Sequence, residues 1–374
     1  MHHNIITYAK KYKNKTYQEM PFSDVDGLIL CQAAYYDFSD EEERQEFTQS
    51  VASYMTKDRE SLLHALITRN GDDQLVEILE SGGRHGSLKV ANFVDKIDES
   101  CDEQFSAITY KLEENLYFIA FRGTDNSVVG WKEDFNMTFQ DEVPAQREAV
   151  RYAVAMMERY PGQFYLGGHS KGGNLAVYTA MMLPEEMQER LISVYNYDGP
   201  GFWEAVYQSE HYKKIRPKIK KLIPQTSIVG MLMEEDDNYL VVKNKVSGFM
   251  QHNAFNWIVT EDRFALQEEA DSASKIWKGA LNRWIKGLEL QERKQFVTIV
   301  FDIIYGLEIT TLNEVAKNRK ENTRKLLKQL SRVEAEEKKI LFSVVGRLIQ
   351  ISAREMRKSK KEENKIRIAN KMRK

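Results

Sequence analysis

The residues with the most to offer chemically stand together at 165–176: Tyr165-Leu166-Gly167-Gly168-His169-Ser170-Lys171-Gly172-Gly173-Asn174-Leu175-Ala176. Ser170 lies between Gly168 and Gly172, a Gly-x-Ser-x-Gly spacing. Chance gives that spacing about 0.06 times in a chain with this glycine and serine content, so its setting must decide. An apolar strand-like run precedes it and a helical run follows. A serine on a tight turn between strand and helix projects its hydroxyl above the sheet as a nucleophile. Glycines on either side let strand and helix approach closely. The backbone N–H of Lys171 can then point at a developing oxyanion near the helix N-terminus.

A second oxyanion donor has to come from another loop. Phe121-Arg122-Gly123-Thr124-Asp125 follows a strand-like run, and Thr124 offers both an N–H and a hydroxyl. Lys171 is unusual beside a nucleophile. If buried, its ammonium needs a partner, and Glu133 or Asp134 could supply one. Otherwise the side chain reaches out to water. The aromatic-rich stretch 131–139 lies between the Thr124 loop and the next helix, where it forms either a lid or an ordinary packed connection.

The elements that must position these groups fall into three zones. Up to about Val94 the pattern is helical. Val25, Leu28, Ile29, Ala33 and Tyr36 recur at helical spacing after a cap at Ser23 or Asp24, and Asp40-Glu41-Glu42-Glu43 opens a second helix. Gly82-Gly83 and Gly86 mark a loop. In the middle zone, strand-like runs at 105–112, 116–121, 163–166, 191–197, 221–224 and 239–242 alternate with helices at 145–160 and 175–182. That alternation predicts a mainly parallel sheet covered on both faces. From about Asp271 the chain has no proline and no convincing strand. Leu326, Leu330, Val333, Ile340, Val344 and Leu348 mark an amphipathic helix there.

Composition sets the outer limits. The 374 residues are 42% apolar and 29% charged, enough for one large domain with additions or for two domains. Cys31 and Cys101 cannot build a disulfide scaffold, so reduced thiols and a cytoplasmic setting are expected. No His-Glu-x-x-His or Cys-x-x-Cys occurs, so no metal is expected. No apolar run approaches the length of a membrane span, and the N-terminus does not read as a secretory signal. Gly82-Gly83-Arg84-His85-Gly86-Ser87 lacks the Gly-Lys-Ser/Thr ending of a phosphate-binding loop, and no nucleic-acid motif appears. The net charge of −2 hides a basic end: residues 353–374 carry ten Lys/Arg and three Glu. Such a tail is either a solvated terminus or a peripheral contact for anionic lipid.

Three segments together resemble the fungal-type (class 3) lipases: Phe121-Arg122-Gly123-Thr124, the tryptophan of Gly130-Trp131-Lys132-Glu133-Asp134-Phe135, and Gly168-His169-Ser170-Lys171-Gly172-Gly173-Asn174-Leu175-Ala176. A closer resemblance is to a bacterial family of lipase-like α/β-hydrolases. It rests also on Gln104-Phe105-Ser106-Ala107, Tyr197-Asp198-Gly199-Pro200-Gly201-Phe202, Ser227-Ile228-Val229-Gly230-Met231 and Gln251-His252. The resemblance covers the middle of the chain strongly and both ends more loosely. It implies an α/β-hydrolase fold, esterase or lipase activity and no cofactor.

In that fold the chain order is nucleophile, acid, histidine. Only His211 and His252 follow Ser170. His211 lies in Glu210-His211-Tyr212-Lys213-Lys214, a solvated helix end, whereas His252 follows a strand and a turn, so His252 is the expected base. The acid departs from the resemblance, because Ser227 stands where the fungal-type pattern has Asp. Asp198, closing the strand-like run 191–197 and resembling the acid-bearing segment of pancreatic-type lipases, is the candidate. An Asp before Gly-Pro is also an ordinary turn former. Asp236 and Asp237 are the alternatives, and a Ser–His site without an acid is a further one.

The expectation is thus a helical region at 1–95 packed on the hydrolase, a lipase-like α/β-hydrolase core at 96–270, and a helical region at 271–374 with a basic tail. Ser170, His252 and Asp198 would be catalytic, with Thr124 and Lys171 at the oxyanion. A lipid or small-molecule acyl ester is the substrate implied by the resemblance. Two rival readings are a catalytically silent scaffold, suggested by Ser227, and a peripheral membrane module driven by the basic tail.

Overall fold

A computed structural model describes residues 3–39, 46–311, 313–314 and 319–372. Its centre is an eight-stranded sheet whose spatial order follows chain order. The strands are β1 (Lys89–Asp98), β2 (Glu103–Glu113), β3 (Leu116–Phe121), β4 (Gln163–His169), β5 (Leu191–Tyr197), β6 (Ile219–Pro224), β7 (Tyr239–Val242) and β8 (Leu266–Gln267). β3 to β7 pair in parallel, while β1, β2 and β8 pair antiparallel at the two sides. The central strands are apolar runs buried on both faces, as a parallel sheet requires.

Helices supply that cover. On one face lie α1 (Ile5–Tyr12), α2 (Asp24–Ala33) and α3 (Asp72–Glu80), which pack Ile5, Leu28, Ile29 and Leu75 with Val90, Phe118 and Tyr195 of the sheet. Ser23 is the cap of α2: its hydroxyl accepts from the Asp26 N–H, and Asp26 accepts in return from the Ser23 N–H. On the other face, α5 (Pro144–Arg159) and α6 (Lys171–Met182) pack Ala149, Met157 and Leu175 against Ile119, Phe121 and Leu166. Between β3 and α5 lies α4 (Val128–Asn136). From Ser272 onward the elements are helices: α7 (Ser272–Lys286), α8 (Leu290–Tyr305), α9 (Arg319–Arg332) and α10 (Ala335–Met372). α8 lays Val297 and Phe301 on Val128 and Trp131 of α4. No helix among the described residues is long and apolar enough to cross a membrane.

Two expectations for the first zone need correction. β1 is a strand, not part of a helical region. Its alternation is broken by an irregularity between Ala91 and Val94, where Asn92 takes φ +56°. Gly83–Gly86 is a short helical turn rather than a loop. The acidic start expected at Asp40–Glu43 falls outside the described residues.

A buried cluster pins the N-terminal helices. Asp26 is fully buried and accepts from Arg84 Nε at 2.8 Å, Arg84 Nη2 at 2.7 Å and Tyr8 Oη at 3.1 Å, with His85 Nε2 at 2.7 Å. Burial alone would raise this carboxyl, but the hydrogen bonds from Arg84 and His85 hold it well below the usual range. Asp26→Ala leaves the Arg84 guanidinium buried without its counter-ion. The expected cost is about 3–5 kcal/mol in urea denaturation at neutral pH. Because the folded pKa is depressed, the Asp26 contribution is present above about pH 4 and fades as the solution is acidified.

Candidate active site

Ser170 closes β4 and precedes α6 with φ +58° and ψ −132°, a backbone conformation that costs energy for any residue with a side chain. Its neighbours explain how the turn is tolerated. A Cβ on Gly168 would lie 2.1 Å from the carbonyl carbon of Gly172, and one on Gly172 would lie 2.1 Å from the Phe121 carbonyl oxygen. Only glycine leaves room for strand, turn and helix to meet. The Ser170 N–H is tied to the Tyr197 carbonyl at 2.9 Å, and the side chain stays half-buried.

Asp198 ends the neighbouring strand β5, also at positive φ, +53°, and is fully buried. Its Oδ2 lies 2.6 Å from His252 Nδ1. Its Oδ1 accepts from Ser227 Oγ at 2.5 Å and from the Gly230 N–H at 3.2 Å. The residue standing where the fungal-type pattern has Asp therefore donates to Asp198. The other acids lie elsewhere: Asp236 pairs with Arg216 and takes the Tyr212 hydroxyl, while Asp237 is exposed. His211 is exposed on a short helix.

His252 ends a 3-10 turn, Gly248–His252. The turn is held by Gln251, which donates to Thr226 Oγ1 and the Val246 carbonyl and accepts from the Thr226 N–H. His169 adds a further tie. Its Nε2 lies 2.8 Å from the His252 carbonyl oxygen, and the two rings are 4.6 Å apart. Burial and the nearby His252 push the His169 imidazole down to about 3, so it stays neutral and donates to that carbonyl. No motif in the sequence gives His169 a role; its place directly before Ser170 is the one signal that points to it.

The Thr124 loop crosses the Ser170 turn closely. A Cβ on Gly123 would meet the Tyr35 hydroxyl at 2.2 Å and the His169 carbonyl oxygen at 2.5 Å. Buried Arg122 anchors the loop through Asp95, at 2.6 and 2.7 Å, and Asp125, at 3.1 Å. The Thr124 hydroxyl donates to Asp134 Oδ2 at 2.5 Å. Burial pushes the Asp134 carboxyl up to about 6. The neighbouring acid takes the lysine: Lys171 Nζ, buried, donates to Glu133 Oε2, Gln104 Oε1 and the Gln104 carbonyl, each at 2.7 Å. Lys171 therefore does not reach water. It opens α6, so its backbone N–H is among those a helix leaves without an intrahelical partner.

Thr124, Asp134, Ser170, Lys171 and His252 all face one cavity of about 590 Å³. The remaining walls are mostly apolar. Trp131 and Phe135 come from α4, Leu281 and Trp284 from α7, and Phe296 from α8, so the C-terminal helices form part of the chamber around Ser170. Among the described residues, Asp98, Cys101 and Glu103 bring ligand atoms within 4.8 Å of one another at the β1–β2 turn, and none of the three lines the cavity.

A mainly parallel sheet flanked by helices, with a serine turned out between strand and helix, is an α/β-hydrolase fold. The chain belongs to the Mbeg1-like family, whose model matches residues 79–302. No curated protein matched the sequence. Among solved structures, M37 lipase is 15% identical, over 56% of this chain and 70% of that one, with a TM-score of 0.35. The Rhizomucor miehei lipase propeptide complex is 15% identical over 61% and 73%, with a TM-score of 0.34. Lip2 lipase from Yarrowia lipolytica is 13% identical over 50% and 74%, with a TM-score of 0.29.

The raised Asp134 carboxyl makes a pH prediction. Its folded pKa lies above the unfolded value of about 4, so the folded state binds the extra proton and this group lowers stability as pH rises from 4 to 6. Asp134→Asn removes that penalty. Its stability relative to wild type should improve by on the order of 2–3 kcal/mol between pH 4 and pH 7.5 in urea titrations. A pH-independent difference would contradict the assignment.

Proposed function

We propose that the chain is a serine hydrolase of the esterase or lipase type, cleaving an acyl ester. The observation that carries the reading is the 2.6 Å contact between Asp198 and His252 beside a serine held at φ +58°, with both Ser170 and His252 facing one apolar chamber. Asp198 holds His252 Nδ1–H, which leaves Nε2 to take the Ser170 proton and stabilises the imidazolium that forms. Ser170 Oγ attacks the ester carbonyl, and the negative charge grows on the carbonyl oxygen. The amides of Lys171 and Thr124 are the donors for it. With its hydroxyl proton given to Asp134, Thr124 contributes its N–H. Collapse expels the alcohol, protonated by His252, and water attacks the acyl-enzyme by the same route in reverse.

The silent-scaffold alternative rested on a missing acid. Asp198 occupies that role in this reading, with Ser227 and the Gly230 amide as its supports. The apolar walls favour the acyl chain as the part of the substrate that is buried. Domain roles follow: the middle of the chain carries the chemistry, and the two helical regions complete the chamber.

Ser170→Ala and Asp198→Asn should each lower kcat on a p-nitrophenyl ester by about 10⁴-fold. Each added methylene in the acyl chain should raise kcat/KM about fourfold until the chamber is full, given about 0.8 kcal/mol per buried CH₂. Near-wild-type turnover by Asp198→Asn would remove that residue from the mechanism.

A further inference from the structure

α10 presents two faces of different character. On its inner side Val344 is fully buried, its carbonyl accepts from Trp284 Nε1 at 2.9 Å, Glu355 pairs with Arg283, and Arg347 pairs with Glu292. That side is committed to α7 and α8. On the outer side Phe342, Ile349 and Met356 are 67, 64 and 56% exposed, with Val345 beside them at 37%. Steps of three, four and seven residues put all four on one stripe of the helix. Leu327 of α9 is exposed to a similar degree, 64%. Apolar side chains lined up in this way are not the scattered singles of an ordinary surface.

The charge around the stripe identifies what covers it. From residue 319 to 358 the chain holds twelve Lys/Arg and five Glu, although the whole chain is net negative. Lys339, Arg354, Arg357 and Lys358 are exposed and make no ion pair with a described residue. At 100° per residue, Lys339 and Arg357 fall along one edge of the stripe. A second copy of the chain, docked about a two-fold axis, would set this cationic surface against itself. A nucleic acid would satisfy the cations and leave Phe342 and Ile349 uncovered. An anionic bilayer satisfies both, with the apolar side chains in the acyl boundary and the cations at the head groups.

We propose that the outer face of α9 and α10 docks on an anionic lipid surface, with α10 lying along it. No described helix is apolar enough to cross the bilayer, so the contact is peripheral. Because α10 packs on the helices that wall the Ser170 cavity, docking brings that end of the molecule to the lipid. The inference stands on this surface alone and does not need the hydrolase reading.

The test is flotation of the full-length protein with phosphatidylcholine vesicles, with and without about a third phosphatidylserine. The wild type should float with the anionic vesicles and not the neutral ones, and high salt should weaken the binding. The double variant Phe342→Asp/Ile349→Asp should bind at least about tenfold more weakly. Lys339→Glu/Arg357→Glu should lose the preference for anionic lipid. Unchanged thermal melting reports that each variant is folded. Three outcomes overturn the proposal: wild type that ignores both vesicle types; flotation untouched by Phe342→Asp/Ile349→Asp; or a wild-type dimer in sedimentation that the same variant dissolves, which would assign the stripe to a second copy.

Discussion

The buried Lys171–Glu133 ion pair organises the site. It begins one residue after Ser170 and ends on α4, and through Gln104 and the Ala145 N–H it also engages β2 and α5. Four elements, α6, α4, β2 and α5, therefore meet at this ion pair. Taking two charges out of water is expensive, and the arrangement holds because both groups are fully hydrogen-bonded. Its consequence is positional: the turn bearing Ser170 cannot shift without breaking three short contacts of a buried ammonium. The same stretch of α4 offers Asp134 to Thr124, so one turn of helix sets both expected oxyanion donors.

Much of this was legible because local chemistry and global fold agree. The glycines around Ser170 announce a close strand–helix approach, and the distances a Cβ would make there are prohibitive. Ser23 and Asp26 form the cap that their spacing suggests. All six strand-like runs and the helix at 175–182 lie within observed elements, the helix at 145–160 overruns α5 by one residue, and β2, β4, β6 and α6 extend beyond the expected limits. Asp198 is ambiguous in the sequence, because an Asp before Gly-Pro is an ordinary turn former. Only the fold shows that it lies 2.6 Å from a histidine 54 residues away.

What was not legible depends on long-range packing. β1 escaped because the irregularity at Asn92 moves its apolar residues between faces, which destroys the period-two signal. Ser227 looked like a lost acid, since a sequence cannot show that its hydroxyl serves a carboxylate on another strand. The partner of Lys171 was open between adjacent residues, Glu133 and Asp134; helix geometry divides them, one to Lys171 and one to Thr124. That the C-terminal helices wall the Ser170 cavity follows from Trp131 and Val128 meeting Phe296 and Phe301, a contact between segments some 170 residues apart that no local pattern encodes.

The proposed function rests on an activated Ser170 nucleophile. Its most direct test is to incubate the protein with a fluorophosphonate probe, in mild detergent, beside Ser170→Ala and His252→Ala, and to map the labelled peptide. A single adduct is expected on Ser170, absent from Ser170→Ala and strongly slowed in His252→Ala. An unlabelled Ser170 in folded wild-type protein would contradict it.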